Sequence, residues 1–122
     1  MLVRLDTKFD GGTLTVTIAG ELDLYTAAQA SEQIDAAIEE NRVRLLVLDL
    51  ASVSFLDSSG LGVILGRYKK IRHRGGTMQI AGASPVVTRI LKMAFLDRIV
   101  PIVPGTAGRV TGPRAGGGGT KS

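Results

Sequence analysis

The 122-residue chain contains no cysteine, which excludes disulfides, thiolate metal sites and cysteine nucleophiles and is compatible with a reducing compartment. Aromatic residues make up only 4%, so its core must be aliphatic and a surface of stacking aromatics for nucleic acid is missing. No stretch approaches the ~18 consecutive apolar residues of a membrane span. The opening MLVRLDTKFD lacks the apolar run of a signal peptide. These absences lead us to expect a cytoplasmic protein of one domain, with no membrane contact and no direct nucleic-acid binding. A single histidine, His73, restricts general-base chemistry before any motif is considered.

The sequence pI of about 9.9 reflects where the charge sits. Arg109, Arg114 and Lys121 follow residue 103 with no acidic residue among them, leaving 12 cationic and 11 anionic side chains in residues 1–103. The expected organisation is a near-neutral domain over 1–103 and a flexible, glycine-rich basic tail over 104–122.

Apolar periodicity gives an α/β reading. Residues 3–9 and 13–19 flank the turn signal DGG (Asp10 to Gly12), and Leu14, Val16 and Ile18 alternate with threonines, which predicts a β-hairpin. After GELD (Gly20 to Asp23), with Asp23 as a cap, Ala27, Ala30, Ile34, Ala37 and Ile38 recur at helical spacing. LLVLDL (Leu45 to Leu50) predicts a central strand, followed by a short loop ASVSFLD and a helix from Ser58 to about Arg74. TMQIA (Thr77 to Ala81) predicts a strand. A helix then begins at ASP (Ala83 to Pro85), with Val86, Val87, Ile90, Leu91 and Ala94 inward. IVPIV (Ile99 to Val103) predicts an edge strand, since Pro101 donates no ladder hydrogen bond. The order β-β-α-β-α-β-α-β implies right-handed parallel crossovers and a mixed sheet of about five strands packed with helices.

FLDSSGLG (Phe55 to Gly62) places two hydroxyls between a carboxylate and two glycines. Hydrolase chemistry fails: the pattern G-x-S-x-G is absent, and His73, fifteen residues along the same predicted helix, lies roughly 22 Å from Ser58. Gly60, Gly62 and Gly66 do not match a dinucleotide fingerprint, and the lysine of a phosphate loop is missing, although a glycine-rich turn could still present amides to an anion. Asp57 has no second ligand at metal spacing on its own segment, so we expect neither metal nor cofactor. Counting 100° per residue puts Leu61, Ile64, Leu65, Tyr68 and Ile71 on the buried stripe of this helix. Ser59, Gly62, Val63, Gly66, Lys69, Lys70 and His73 fall on the other side. Glycines there cost ~1 kcal/mol each relative to alanine, and the sequence leaves two explanations open: a surface for a partner's backbone, or close internal packing. Asp57 or Ser58 is the natural N-cap.

GELD with Thr26 and Ala27, then SFLDSSGLGVILGRYKKI (Ser54 to Ile71), GGTMQI and ASPVVTRIL, resembles the anti-sigma factor antagonists of the STAS domain family over residues 3–103. The resemblance implies a STAS fold and a non-enzymatic, partner-switching protein, monomeric when free. Its unphosphorylated form would bind an anti-sigma factor that is also a serine kinase, releasing a sigma factor, as in sporulation. Phosphorylation, by motif position on Ser58, would end the association, and a PP2C-type phosphatase would reverse it. The same resemblance places Gly20, Glu21, Asp23, Thr26, Asp57, Ser59, Gly60, Gly62, Val63, Gly66 and Arg67 at the partner surface. Two alternatives accompany it: a nucleotide-binding STAS protein, and a STAS subunit of a transporter or stress-sensing assembly. Family members commonly carry a helix after the last strand, which this tail does not resemble.

Overall fold

The structure, a computed structural model, describes residues 3–105. Strands β1 (Arg4–Asp10) and β2 (Thr13–Leu22) form an antiparallel hairpin. Its turn is Gly11-Gly12, with φ of 60° and 87°, a pair of left-handed positions that suits glycine and matches the twist of the strands. Helix α1 (Ala27–Glu40) leads to strand β3 (Leu45–Leu56), and helix α2 (Ser58–His73) to strand β4 (Thr77–Ala81). Helix α3 (Pro85–Met93), a 3₁₀ turn (Leu96–Arg98) and strand β5 (Ile102–Val103) complete the described chain. The sheet order is β1-β2-β3-β4-β5, with β2 through β5 parallel.

Pleating decides where the core lies. Leu14 and Val16 on β2, Leu46 and Leu48 on β3, and Met78 and Ile80 on β4 share one face by register. All six are buried in a single cluster with Ile34 and Ile38 of α1, Ile64 and Ile71 of α2, and Val87 and Leu91 of α3. Three right-handed crossovers advancing in one direction put all three helices on that face. The opposite row, including Thr13, Thr15, Val47 and Gln79, carries no helix among the described residues. Each fully buried Leu or Ile contributes about 1.5–3 kcal/mol, so the aliphatic core expected from the composition is sufficient.

Several local expectations change. Strand β3 continues to Leu56 instead of ending at Leu50. The segment read as a loop pairs with the end of β2, Gly20 opposite Val53 and Leu22 opposite Leu56, past bulges that separate Thr17 from Ala19 and Gly20 from Glu21. Val53 and Leu56 reach the core while Ala51, Ser52, Ser54 and Phe55 remain exposed, a broken alternation that looks like a loop in one dimension. GEL is accordingly the end of a strand. Val86, expected inward, is 58% exposed, and Ala94 is exposed as well, because α3 buries only the narrow stripe Val87–Leu91. Ser84 does cap α3, accepting from Val87 N–H at 3.2 Å ahead of Pro85. The last strand shrinks to Ile102–Val103 and is an edge. The proposed tail lies outside the described residues beyond Gly105.

Candidate functional site

The site forms where β2 and β3 end side by side. Glu21 is opposite Phe55 and Leu22 opposite Leu56, and Asp57 N–H donates to Leu22 C=O at 3.2 Å. GELD and DSSG, thirty-odd residues apart in sequence, are thereby stitched into one surface.

The turn after GELD is locked internally. Asp23 Oδ1 accepts from Tyr25 N–H at 2.9 Å and from Thr26 N–H at 3.1 Å. Thr26 Oγ1 accepts from Asp23 N–H at 3.0 Å and donates to Glu21 C=O at 2.7 Å. Helix α1 starts after Thr26, which makes no side-chain cap bond, and Asp23 closes the turn ahead of it without being the cap residue. Thr26 is 1% exposed, which corrects its assignment to the partner surface: its hydroxyl is consumed in holding the loop. Gly20, Glu21 and Asp23 are part-exposed.

At the head of α2 the carboxylate of Asp57 takes the capping role, its Oδ1 accepting from Ser59 N–H at 2.8 Å and Gly60 N–H at 3.1 Å. Neither serine therefore serves as the cap. Ser58 is exposed at the first helical position, and no hydrogen bond of its hydroxyl is present among the described residues. Ser59 is half-buried. Two of the amides that a phosphate cradle would use, those of Ser59 and Gly60, are already bound to Asp57.

Gly60 belongs to the inner side. A Cβ built on it would meet the Leu22 carbonyl oxygen at 2.3 Å and Leu56 Cβ at 2.8 Å. Here the close-packing explanation holds, and Gly60 is not a partner contact. Val63 is 2% exposed within the core, also contrary to expectation. The reason is that α2 buries two flanks. One packs on the sheet through Ile64 and Ile71, and the other faces α1. Arg67, on that second flank one turn beyond Val63, meets Asp35 Oδ1 at 3.0 Å without the alignment of a hydrogen bond, and Lys70 Nζ meets Glu39 Oε2 at 2.7 Å. Arg67 is 14% exposed in its side chain and ties α1 to α2. Lys70, by hydrogen bond and by charge, holds the Glu39 carboxyl below the usual value of 4.5.

An outer ridge remains at helical spacing of four: Ser58, Gly62 and Gly66. A Cβ at either glycine would meet nothing within 4 Å, so internal packing does not require them. Beside the ridge head stand three apolar side chains that periodicity did not single out: Leu24 at 69% exposure, Tyr25 at 84% and Phe55 at 46%. Leu24 and Tyr25 lie in the turn between β2 and α1, and Phe55 falls outside the burial alternation of β3. Among the described residues, no cluster of three or more potential metal ligands occurs and no helix is long and apolar enough to cross a membrane.

The mixed five-strand sheet with helices on one face and a capped serine turn at the β3–α2 junction defines a class, and comparison identifies it. Residues 4–107 match the STAS domain. The chain is 42% identical over 102 residues to the anti-sigma F factor antagonist of Paenibacillus polymyxa, covering 84% of this chain and 87% of that one. An anti-sigma factor antagonist from Mycobacterium paratuberculosis has a similar crystal structure, with TM-score 0.78, 26% identity and coverage of 93% and 95% of the two chains. The antagonist SpoIIAA in its unphosphorylated form gives TM-score 0.70, 25% identity and coverage of 81% and 87%; a structure of its phosphorylated form shares the fold at TM-score 0.64, 24% identity and coverage of 81% and 90%. The chain belongs to the STAS domain family, among its anti-sigma factor antagonists.

Proposed function

We propose that this chain is a phosphorylation-controlled antagonist whose unphosphorylated form docks an anti-sigma factor kinase through the ridge Ser58-Gly62-Gly66 and the adjoining β2–α1 turn. The observation that carries the reading is the free hydroxyl of Ser58. Asp57 occupies the cap, so Ser58 stands exposed at the head of a ridge that lacks side chains for two further turns. A partner backbone can approach the ridge closely, with Leu24, Tyr25 and Phe55 as apolar contacts and Glu21, Asp23 and Ser59 at its margin.

Phosphorylation of Ser58 adds about −1.5 to −2 charges. The N-terminal dipole of α2 favours an anion there, but Asp57 already holds the Ser59 and Gly60 amides. The phosphate is therefore directed to solvent beside a carboxylate, where it leaves the core untouched and occupies the space of the partner. Against a carboxylate of the partner at ~4 Å, each unit of charge costs about 1 kcal/mol in water and about 4 at an effective dielectric of 20. The chain acts in this scheme as a substrate of the kinase and of a PP2C-type phosphatase, without catalytic machinery of its own. Incubation with the cognate kinase and ATP, followed by mapping of the phosphate by mass spectrometry, tests it. Phosphate on Ser58, persistent kinase binding by Ser58→Ala and weak binding by Ser58→Asp are expected; equal binding by both variants refutes the switch.

A further inference from the structure

At the opposite pole of the sheet, roughly 35 Å away along β3, lies an open cleft of about 690 Å³ that the partner-switching reading leaves unused. Arg42 and Arg44 enter it from the segment before β3, and Arg74 from the C-cap of α2. The Gly11-Gly12 turn and Phe9 of β1 complete its lining. Among the described residues none of the three guanidinium groups has a carboxylate within ion-pair distance. Arg44 is fixed in place by its backbone and stem. Arg44 N–H donates to Gly12 C=O at 2.8 Å, its own C=O accepts from Thr77 N–H at 2.9 Å, and its aliphatic stem lies where a Gly12 side chain would be, at 3.4 Å from the position of that Cβ.

Cations near helix C-termini have an ordinary use, offsetting the dipole. Helices α1 and α2 both end at this pole, and each presents about half a negative charge there. Three arginines exceed that by about two charges. Glu39 feels Arg74 but is engaged by Lys70, so it does not neutralise the excess. Guanidinium forks match phosphate oxygens bidentately, and a concave site of this size suits a small molecule. We propose that this cleft binds a small molecule carrying a di- or triphosphate group, at a site separate from Ser58 and accessible while a partner occupies the other pole.

Titrating the full chain with inorganic tripolyphosphate at constant ionic strength, read by residue-resolved NMR, tests this. Saturable shifts centred on the Gly11, Gly12 and Arg44 amides are expected, with affinity falling roughly fivefold for each of Arg42→Gln, Arg44→Gln and Arg74→Gln. ATP binding the same amides more tightly than tripolyphosphate would assign the base to Phe9; equal affinity would assign the site to the phosphate chain alone. Shifts confined to other cationic residues, or an affinity unchanged in the triple variant, would overturn the proposal. Unchanged far-ultraviolet dichroism of the variants separates lost binding from lost fold.

Discussion

Gly60→Ala and Gly62→Ala, two residues apart on α2, should change stability in opposite directions. Both substitutions gain about 1 kcal/mol of helix propensity. At Gly62 nothing offsets the gain, because a Cβ meets no atom within 4 Å. At Gly60 the new carbon would sit 2.3 Å from the Leu22 carbonyl oxygen, so the head of α2 must retreat from β2 by about an ångström. Overpacking of this kind costs roughly 1–3 kcal/mol. The retreat also weakens the Asp57 N–H to Leu22 C=O bond at 3.2 Å and the Gly60 cap bond at 3.1 Å, each contributing about 1 kcal/mol. The net expectation is a loss of about 3 kcal/mol for Gly60→Ala and a gain of about 1 for Gly62→Ala. A domain of this size shifts by about 4–8 °C per kcal/mol, so thermal and urea denaturation followed by circular dichroism resolve both changes. A Gly60→Ala protein as stable as the parent would refute the close approach of α2 to Leu22. A destabilised Gly62→Ala protein would show that another part of the chain packs on the ridge. In the proposed complex Gly62→Ala should also weaken kinase binding while raising stability, a combination that a purely structural glycine cannot produce.

Other consequences follow from the same geometry. Asp57→Ala should cost about 1 kcal/mol through loss of the α2 cap, seen as a lower urea midpoint; Ser58→Ala, whose hydroxyl bonds nothing among the described residues, should stay within about 0.5 kcal/mol of the parent. Leu24→Ser combined with Tyr25→Ser should leave the melting temperature unchanged yet reduce affinity for the kinase at least tenfold by calorimetry, since both side chains are exposed and apolar anchors dominate interfaces. The Glu39 carboxyl should titrate below 4.5 in a carbon-detected NMR experiment, and Lys70→Ala should raise its midpoint towards that value. Because its folded-state value is depressed, the stability it contributes is present above 4.5 and is lost as the pH falls through the folded midpoint.

The parts of the fold that were legible in the sequence are those with a clean period. Leu14, Val16 and Ile18 alternate, Ile34, Ala37 and Ile38 recur every three to four residues, and Ser84-Pro85 marks a helix start; all three patterns are realised. Errors gather where burial departs from a single stripe. Residues 51–56 extend β3 with an irregular pattern because β3 carries an extra residue relative to β2 between Asp49 and Ser52 and again between Val53 and Phe55. Val63 looked outward because one stripe was assigned to α2, whereas contact with α1 buries a second flank, on which Arg67 also lies. Thr26 and Gly60 were correctly recognised as members of the motif, but their work is internal.

The sequence by itself determined the element order and the aliphatic core, because each is written in local spacing and residue type, and its resemblance to the STAS antagonists pointed to the DSSG motif. It also narrowed the chemistry of DSSG by elimination, since no base, metal set or phosphate loop accompanies the serines. Only the tertiary structure decided which glycine serves packing and which leaves a surface bare, because that depends on whether Leu22 or solvent lies opposite the missing Cβ. It likewise decided that Asp57, not Ser58, caps α2, since hydrogen-bond geometry separates two adjacent candidates that propensity alone leaves equal. The gathering of Arg42, Arg44 and Arg74 around the Gly11-Gly12 turn is tertiary in origin as well. Parallel strands bring segments together across the sheet that no local pattern connects.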